Sequence, residues 1–258
     1  MDIATLAGLV STFGLVIVGI LVGGSSLTLY LDAPSLLIVI GGSFATMVTS
    51  SPLEVITKNF IQYCRIVGNL QSNNYEVTIT QLVGFAESAR KEGLLSLDDA
   101  VNDIEDHFLR SGMRMIVDGT DPAIVKKMLY AQQSKTEERH ASGAAFFSRW
   151  ATVGPAFGMI GTLLGLIGLL ANLSDAASLG PNMALALITT LYGSLLANGW
   201  LIPFQNKLED RNADEMLKFD IMVEGMMGIA GGENPKILET KLYSFLAPSM
   251  RPSSLGDY

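Results

Sequence analysis

Charged residues make up only 16% of this 258-residue chain, against about a quarter in soluble domains, and long stretches have almost none. Residues 3–53 carry a single charge, Asp32, and residues 150–206 again carry one, Asp175. With 49% of the chain hydrophobic, those stretches cannot be ordinary water-soluble structure. Cysteine is as scarce: the one copy, Cys64, excludes an internal disulfide and any multi-cysteine metal site. The two histidines, His107 and His140, stand far apart, and neither has a second histidine or a cysteine at ligand spacing. They read as ordinary polar-face residues. No phosphate-binding glycine loop or nucleophile elbow occurs, so nothing marks an enzyme or a bound cofactor. A net charge of −8 without a basic patch argues against nucleic acid as a partner.

What is present is a set of uncharged runs of membrane-crossing length. A spanning helix needs about 20 mainly apolar residues. Asp2 to Asp32, Asp32 to Glu54, Arg149 to Asp175 and Asp175 to Lys207 each enclose such a run, which predicts spans near 3–23, 33–52, 151–173 and 182–204. The first lacks a basic leader and passes through a GGSS turn into the second, so it reads as a span, not a cleaved signal. All 17 Lys and Arg lie in 54–149 and 207–258. Lys58, Arg65, Arg139, Arg149, Lys207, Arg211 and Lys218 flank the spans, and the positive-inside rule then puts both termini and the middle segment in the cytoplasm. The expected fold is an all-α integral membrane protein with four transmembrane helices, plus a helical cytoplasmic domain built from the 2–3 loop and the C-terminal segment. Its divisions are a transmembrane hairpin over 1–53, cytoplasmic helices over 54–149, a second hairpin over 150–206, and C-terminal helices and tail over 207–258.

Within the polar part, Glu76–Glu92 reads as a helix with Val77, Leu82, Phe85 and Ala89 on one apolar stripe and Gly93 at its end. A second helix is expected over Leu97–Met115. Asp121-Pro122 is a strong helix start, from which one long helix can run into the third span, with Gly143 as its weakest point. Polar helix is expected to continue from Lys207 to about Glu224, and Asn234-Pro235 to open a short helix over Lys236–Leu246. The tail beyond Pro248 is expected to be disordered. So large a cytoplasmic mass implies contact with something inside the cell.

The spans carry no Asp, Glu, Lys, Arg or His in their interiors; Asp32 and Asp175 are expected at their outer ends. Cation passage through a bilayer normally needs a carboxylate at depth, so any ion movement requires one from another chain. The available oxygens are Thr162, Thr189 and Thr190. They suit a hard cation, or each bonds back to its own helix, a common habit of membrane threonines. Gly154, Gly158, Gly161, Gly165 and Gly168 recur at helical spacing, a pattern that brings helices close together. Pro155 and Pro203 can each kink a helix, although Pro155 comes early enough to mark only the start of its span.

The runs GPAFGMIGTLLGLIGLL and LGPNMALALITTLYGSLLANGWLIPFQNKL resemble the flagellar stator A subunit family, MotA and PomA, and lie nearest its PomA-like members. MDIATLAGLV, YLDAPSLLIVIGGSFAT, ARKEGLLSLDD and VDGTDPAIV extend the likeness collinearly from residue 1 to about 246. The resemblance implies a pentamer of A subunits in the bacterial inner membrane, surrounding a single-span B subunit (MotB/PomB-like) that supplies the ion-binding aspartate. Cation flow, with sodium favoured over protons, would then turn the rotor through its protein FliG. It further implies an ion path at Thr162, Thr189, Thr190 and Asp32, coupling prolines at Pro155 and Pro203, and a rotor interface at Arg90, Lys91, Asp98 and Asp99. Asp98 and Asp99 stand where PomA-like chains usually carry glutamates, and the bland reading of that cluster is a solvated helical corner. The alternative function is an ExbB- or TolQ-like energiser of another envelope process. Those relatives usually have three spans and an outside N-terminus.

Overall fold

The computed structural model describes residues 3–50, 63 and 74–252; Cys64, Lys58 and Arg65 lie outside them. The described residues are helical throughout, without strands, and four helical runs are long and apolar enough to cross a membrane. Two units form, one from residues 1–70 and 140–210, the other from 71–139 and 211–258.

In the first unit, α1 (Ile3–Val22) is followed by a short turn and α2 (Ala33–Leu36), capped by Asp32. A π-helical turn over Leu37–Gly41 leads into α3 (Gly42–Ser50). The apolar part of the long helix α7 (Pro122–Ala171) packs on α8 (Ala176–Leu196). The latter begins six residues before the expected 182 because Asp175 accepts the Ala177 amide at 3.1 Å and starts the helix there. Helix α7 runs without interruption through Gly143. A methyl at that position would overlap the Tyr63 ring, so Gly143 is a seat for Tyr63 and not the weak point expected. Pro155 lies inside this continuous helix, six residues after Arg149. Beyond α8 a second π turn, Ala197–Leu201, joins α9 (Ile202–Ala230). Pro203 cannot donate to residue 199 and its ring crowds that carbonyl; the wider turn just before it relieves the crowding. Phe44, Phe146, Phe147, Trp150, Trp200 and Phe204 form a chain of ring contacts, and Trp150 donates to Ser43 Oγ at 3.0 Å. Such aromatic clusters near a span's charged end suit the water–lipid boundary.

The second unit has its own apolar core. Helix α4 (Tyr75–Glu92) buries Tyr75, Ile79, Leu82 and Ala86. Of the expected stripe, Leu82 is buried and Phe85 and Ala89 pack against the core, whereas Val77 is exposed. Apolar side chains cover a wide arc of this helix, and the larger Tyr, Ile and Leu side chains claim the core. The helix expected over 97–115 is two: α5 (Asp98–Asn102) and α6 (His107–Val117). Asp106 breaks it. Its Oδ1 accepts the Phe108 and Leu109 amides at 3.0 and 3.2 Å, and its Oδ2 accepts from Lys218 Nζ at 2.7 Å. Burial alone would push the Asp106 carboxyl up, but the Lys218 hydrogen bond and charge, with the two amides, hold it below the ordinary range. Helix α9 runs on to Ala230, past the expected Glu224. Asn234 caps α10 (Pro235–Tyr243) by accepting the Lys236 amide. Beyond it, Pro248–Met250 forms a 3₁₀ turn and Arg251 Nε donates to the Leu246 carbonyl at 3.0 Å; the rest of the tail expected to be disordered lies outside the described residues.

Candidate functional site

The seam between α7 and α8 is built by what its residues lack. A Cβ on Gly158 would sit 3.0 Å from the Thr189 carbonyl, one on Gly165 2.6 Å from the Asn182 carbonyl, and one on Gly193 3.0 Å from the Gly154 carbonyl. Only glycine fits these approaches, as in close-packed membrane helices generally. The short distance has a chemical consequence: side chains as small as threonine reach across the seam.

Thr162 Oγ1 on α7 lies 2.6 Å from Thr190 Oγ1 on α8. It also reaches the carbonyls of Gly158 at 3.1 Å and Ala186 at 3.0 Å, while Thr190 Oγ1 lies 3.3 Å from the same Ala186 carbonyl. Four oxygens thus share two hydroxyl protons, and the remaining lone pairs are acceptors only. Such a set suits a hard cation, yet neither helix brings a carboxylate to it. Thr190 is exposed and Thr162 half-buried, so the hydroxyl pair faces outward from the seam. Thr189 differs. It is fully buried, donates within its own helix to Leu185 at 2.8 Å, and its side chain occupies the space a Cβ on Gly161 would need. The three threonines that stand together in the sequence analysis divide into an open pair and a packing residue.

Asp32 is not at the level of Asp175. Its backbone amide donates to Tyr192 Oη at 3.2 Å, and at about 1.5 Å per residue Tyr192 lies roughly 25 Å along α8 from Asp175. The carboxylate is occupied as a helix cap, Oδ2 accepting Ser35 N at 2.8 Å and Ser35 Oγ at 2.5 Å. Tyr192 and Ser35 escaped the sequence reading, because a contact spanning 160 residues leaves no local pattern. The one available signal was a phenol in an otherwise uncharged run.

The two prolines have different settings. Pro155 abuts the seam, where a Cβ on Gly193 would come within 3.1 Å of its Cα. Pro203 is exposed and borders a cavity of about 340 Å³ shared with Thr5, Thr12, Gly199 and Lys207, with Lys207 donating to Thr5 Oγ1.

In the second unit, Arg90 and Lys91 end α4, where Gly93 at φ +88° stops the helix. Asp98 and Asp99 begin α5. Leu94 and Leu97, pointing into the core, fix the turn between them. All four charged side chains are exposed, and Lys91 reaches Glu87 at 3.9 Å, a pair too exposed to matter for stability. The arrangement also complements both helix dipoles, which is its bland explanation. His107 is exposed, and the described residues contain no group of three or more His, Cys, Asp or Glu able to hold a metal.

Comparison with known proteins accounts for an oxygen-lined membrane seam without a carboxylate. Residues 100–221 match the MotA/TolQ/ExbB proton channel family. The chain is 42% identical to Motility protein A of Borreliella burgdorferi over 99% of both chains, and 35% identical to the chemotaxis protein PomA of Vibrio alginolyticus over 100% of both. Identity alone therefore does not single out the PomA-like branch. The fold matches the solved MotAB of C. jejuni with a TM-score of 0.88 at 28% identity, covering 96% of this chain and 97% of that one. It matches the flagellar MotAB stator complex of Bacillus subtilis with a TM-score of 0.86 at 30% identity, covering 95% and 96%. Proteins of this kind are channel and motor components, not enzymes. With full-length relatives and full-length structural matches pointing the same way, the chain belongs to the flagellar stator A subunit family, MotA and PomA.

Proposed function

We propose that this chain is the A subunit of a bacterial flagellar stator. Together with a single-span B subunit it forms a channel that converts cation flow into rotation. The observation that carries the reading is the Thr162–Thr190 pair with the Ala186 and Gly158 carbonyls. This oxygen set lacks a fixed negative charge, and a partner's aspartate supplies the charge that a passing cation needs. Sodium is the favoured ion, because hydroxyl and carbonyl oxygens replace its hydration shell directly. Asp32 belongs to the same path. Pro155 and Pro203 couple ion passage to helix movement, and Arg90, Lys91, Asp98 and Asp99 face the rotor protein FliG.

In this reading four spans cross the inner membrane with both termini in the cytoplasm, and segments 54–149 and 207–258 form the rotor-facing domain of each member of a pentamer. The test is expression of the chain with its partner in a stator-null strain, with swimming speed followed across a sodium series at fixed pH. Rescue that rises and saturates with sodium supports the whole reading. Rescue indifferent to sodium but lost with a protonophore keeps the motor and replaces the ion. No rescue, despite confirmed co-assembly with the native single-span partner, would transfer the chain to the ExbB- and TolQ-like energisers.

A further inference from the structure

The segment Tyr30–Asp32 is extended backbone between two helical turns, with Leu31 at φ −102°, ψ 93° and Asp32 at φ −120°, ψ 114°. Extended backbone between helices makes no helical or ladder bonds of its own, so its amide and carbonyl groups need other polar partners. One side chain provides both. The Tyr192 hydroxyl donates to the Tyr30 carbonyl and accepts the Asp32 amide at 3.2 Å, so its donor and one acceptor site are committed to the groups flanking Leu31. From the other side, Ser35 N and Oγ both hold Asp32 Oδ2, which leaves Oδ1 outside those two bonds. The acid is therefore fixed twice, its backbone by α8 and its carboxylate by the first turn of α2.

Tyr192 stands two residues after Thr190 on the same helix. A shift of α8 that moves the hydroxyl pair must carry the Asp32 backbone with it or break these hydrogen bonds. We propose that Tyr192 is a positioning residue that ties Asp32 to the helix bearing Thr190, so that α8 and not the short turn after α1 sets where the acid stands relative to the cation path. The inference rests on the reading that Asp32 and the Thr162–Thr190 pair belong to that path. Tyr192 itself touches no cation; it acts through Asp32.

The test compares speed against sodium concentration for the complete stator carrying the unaltered chain, Tyr192→Phe, Asp32→Asn or both substitutions, with assembly checked by co-purification of the partner. Phenylalanine keeps the ring and its packing and removes only the hydroxyl. The expected result is a half-saturating sodium concentration raised about threefold to tenfold in Tyr192→Phe, with saturating speed near that of the unaltered chain, and no further rise when Tyr192→Phe is added to Asp32→Asn, as coupled residues require. Ser35→Ala, which loosens the same carboxylate from the opposite side, should behave likewise and serves if Tyr192→Phe fails to assemble. An unchanged sodium dependence in Tyr192→Phe, or an equal shift with and without Asp32, overturns the positioning role. If Asp32→Asn itself leaves the sodium dependence unaltered, the reading of Asp32 as part of the path fails first, and the inference with it.

Discussion

The α7–α8 seam and the α4–α5 corner both place candidate functional side chains, but by opposite means. At the seam, glycines remove side chains so that backbones approach, and Thr162 and Thr190 meet because nothing stands between their helices. At the corner, Leu94 and Leu97 insert into an apolar core and a positive-φ glycine ends one helix, so the charges are fixed by what lies beneath them. A seam made by close approach cannot tolerate an added atom. A corner set on a core tolerates any surface change. The same substitution logic should therefore give loss of assembly in one region and loss of function alone in the other.

The largest expected effect breaks the seam. Gly165→Leu would put its Cβ 2.6 Å from the Asn182 carbonyl and 2.7 Å from the Ala186 amide, both backbone groups that cannot step aside. We predict loss of the assembled complex, measured by co-purification with the partner; normal assembly would refute the account of the glycines. Next comes Asp106→Ala in the second unit, which removes the cap of α6 and the Lys218 partner. About 2 kcal/mol of stability should be lost, read as a lower melting temperature of the detergent-solubilised complex. The Asp106 pKa lies below its ordinary 3.8, so this contribution is complete above about pH 4 and disappears as pH falls through the lowered value. A melting temperature unmoved by the substitution at neutral pH would contradict it. The smallest effect on stability belongs to the corner: Arg90→Glu should change it by less than about 0.5 kcal/mol and leave assembly intact while slowing swimming. If assembly fails in that variant, Arg90 is structural and the contrast between the two regions collapses.

How much of this was legible beforehand follows the same division. Charge-free runs bounded by Asp32, Asp175 and Lys207 announce membrane helices, since the bilayer imposes length and composition together. The caps at Asp121-Pro122 and Asn234-Pro235 mark their helices because capping is local. Asp106 caps its helix by the same local rule, although a single helix is expected across it. Long-range contacts had no such signal. The seat for Tyr63 at Gly143, the Tyr192 hydrogen bonds to Tyr30 and Asp32, and the division of Thr189 from Thr190 all depend on which helix faces which. Adjacent threonines point in directions about 100° apart on a helix, and only packing decides which direction is buried.

The most direct test of the central claim separates those two neighbours. Valine matches threonine in shape and lacks the hydroxyl, so Thr189→Val and Thr190→Val can be compared in the complete stator by cation-driven swimming speed, with co-purification confirming assembly. The account predicts that Thr190→Val assembles but loses most of its speed at every sodium concentration, whereas Thr189→Val, which removes only a bond within its own helix, stays motile with its sodium dependence unchanged. Full speed in assembled Thr190→Val, or equal losses in both, would contradict a cation path through the Thr162–Thr190 pair.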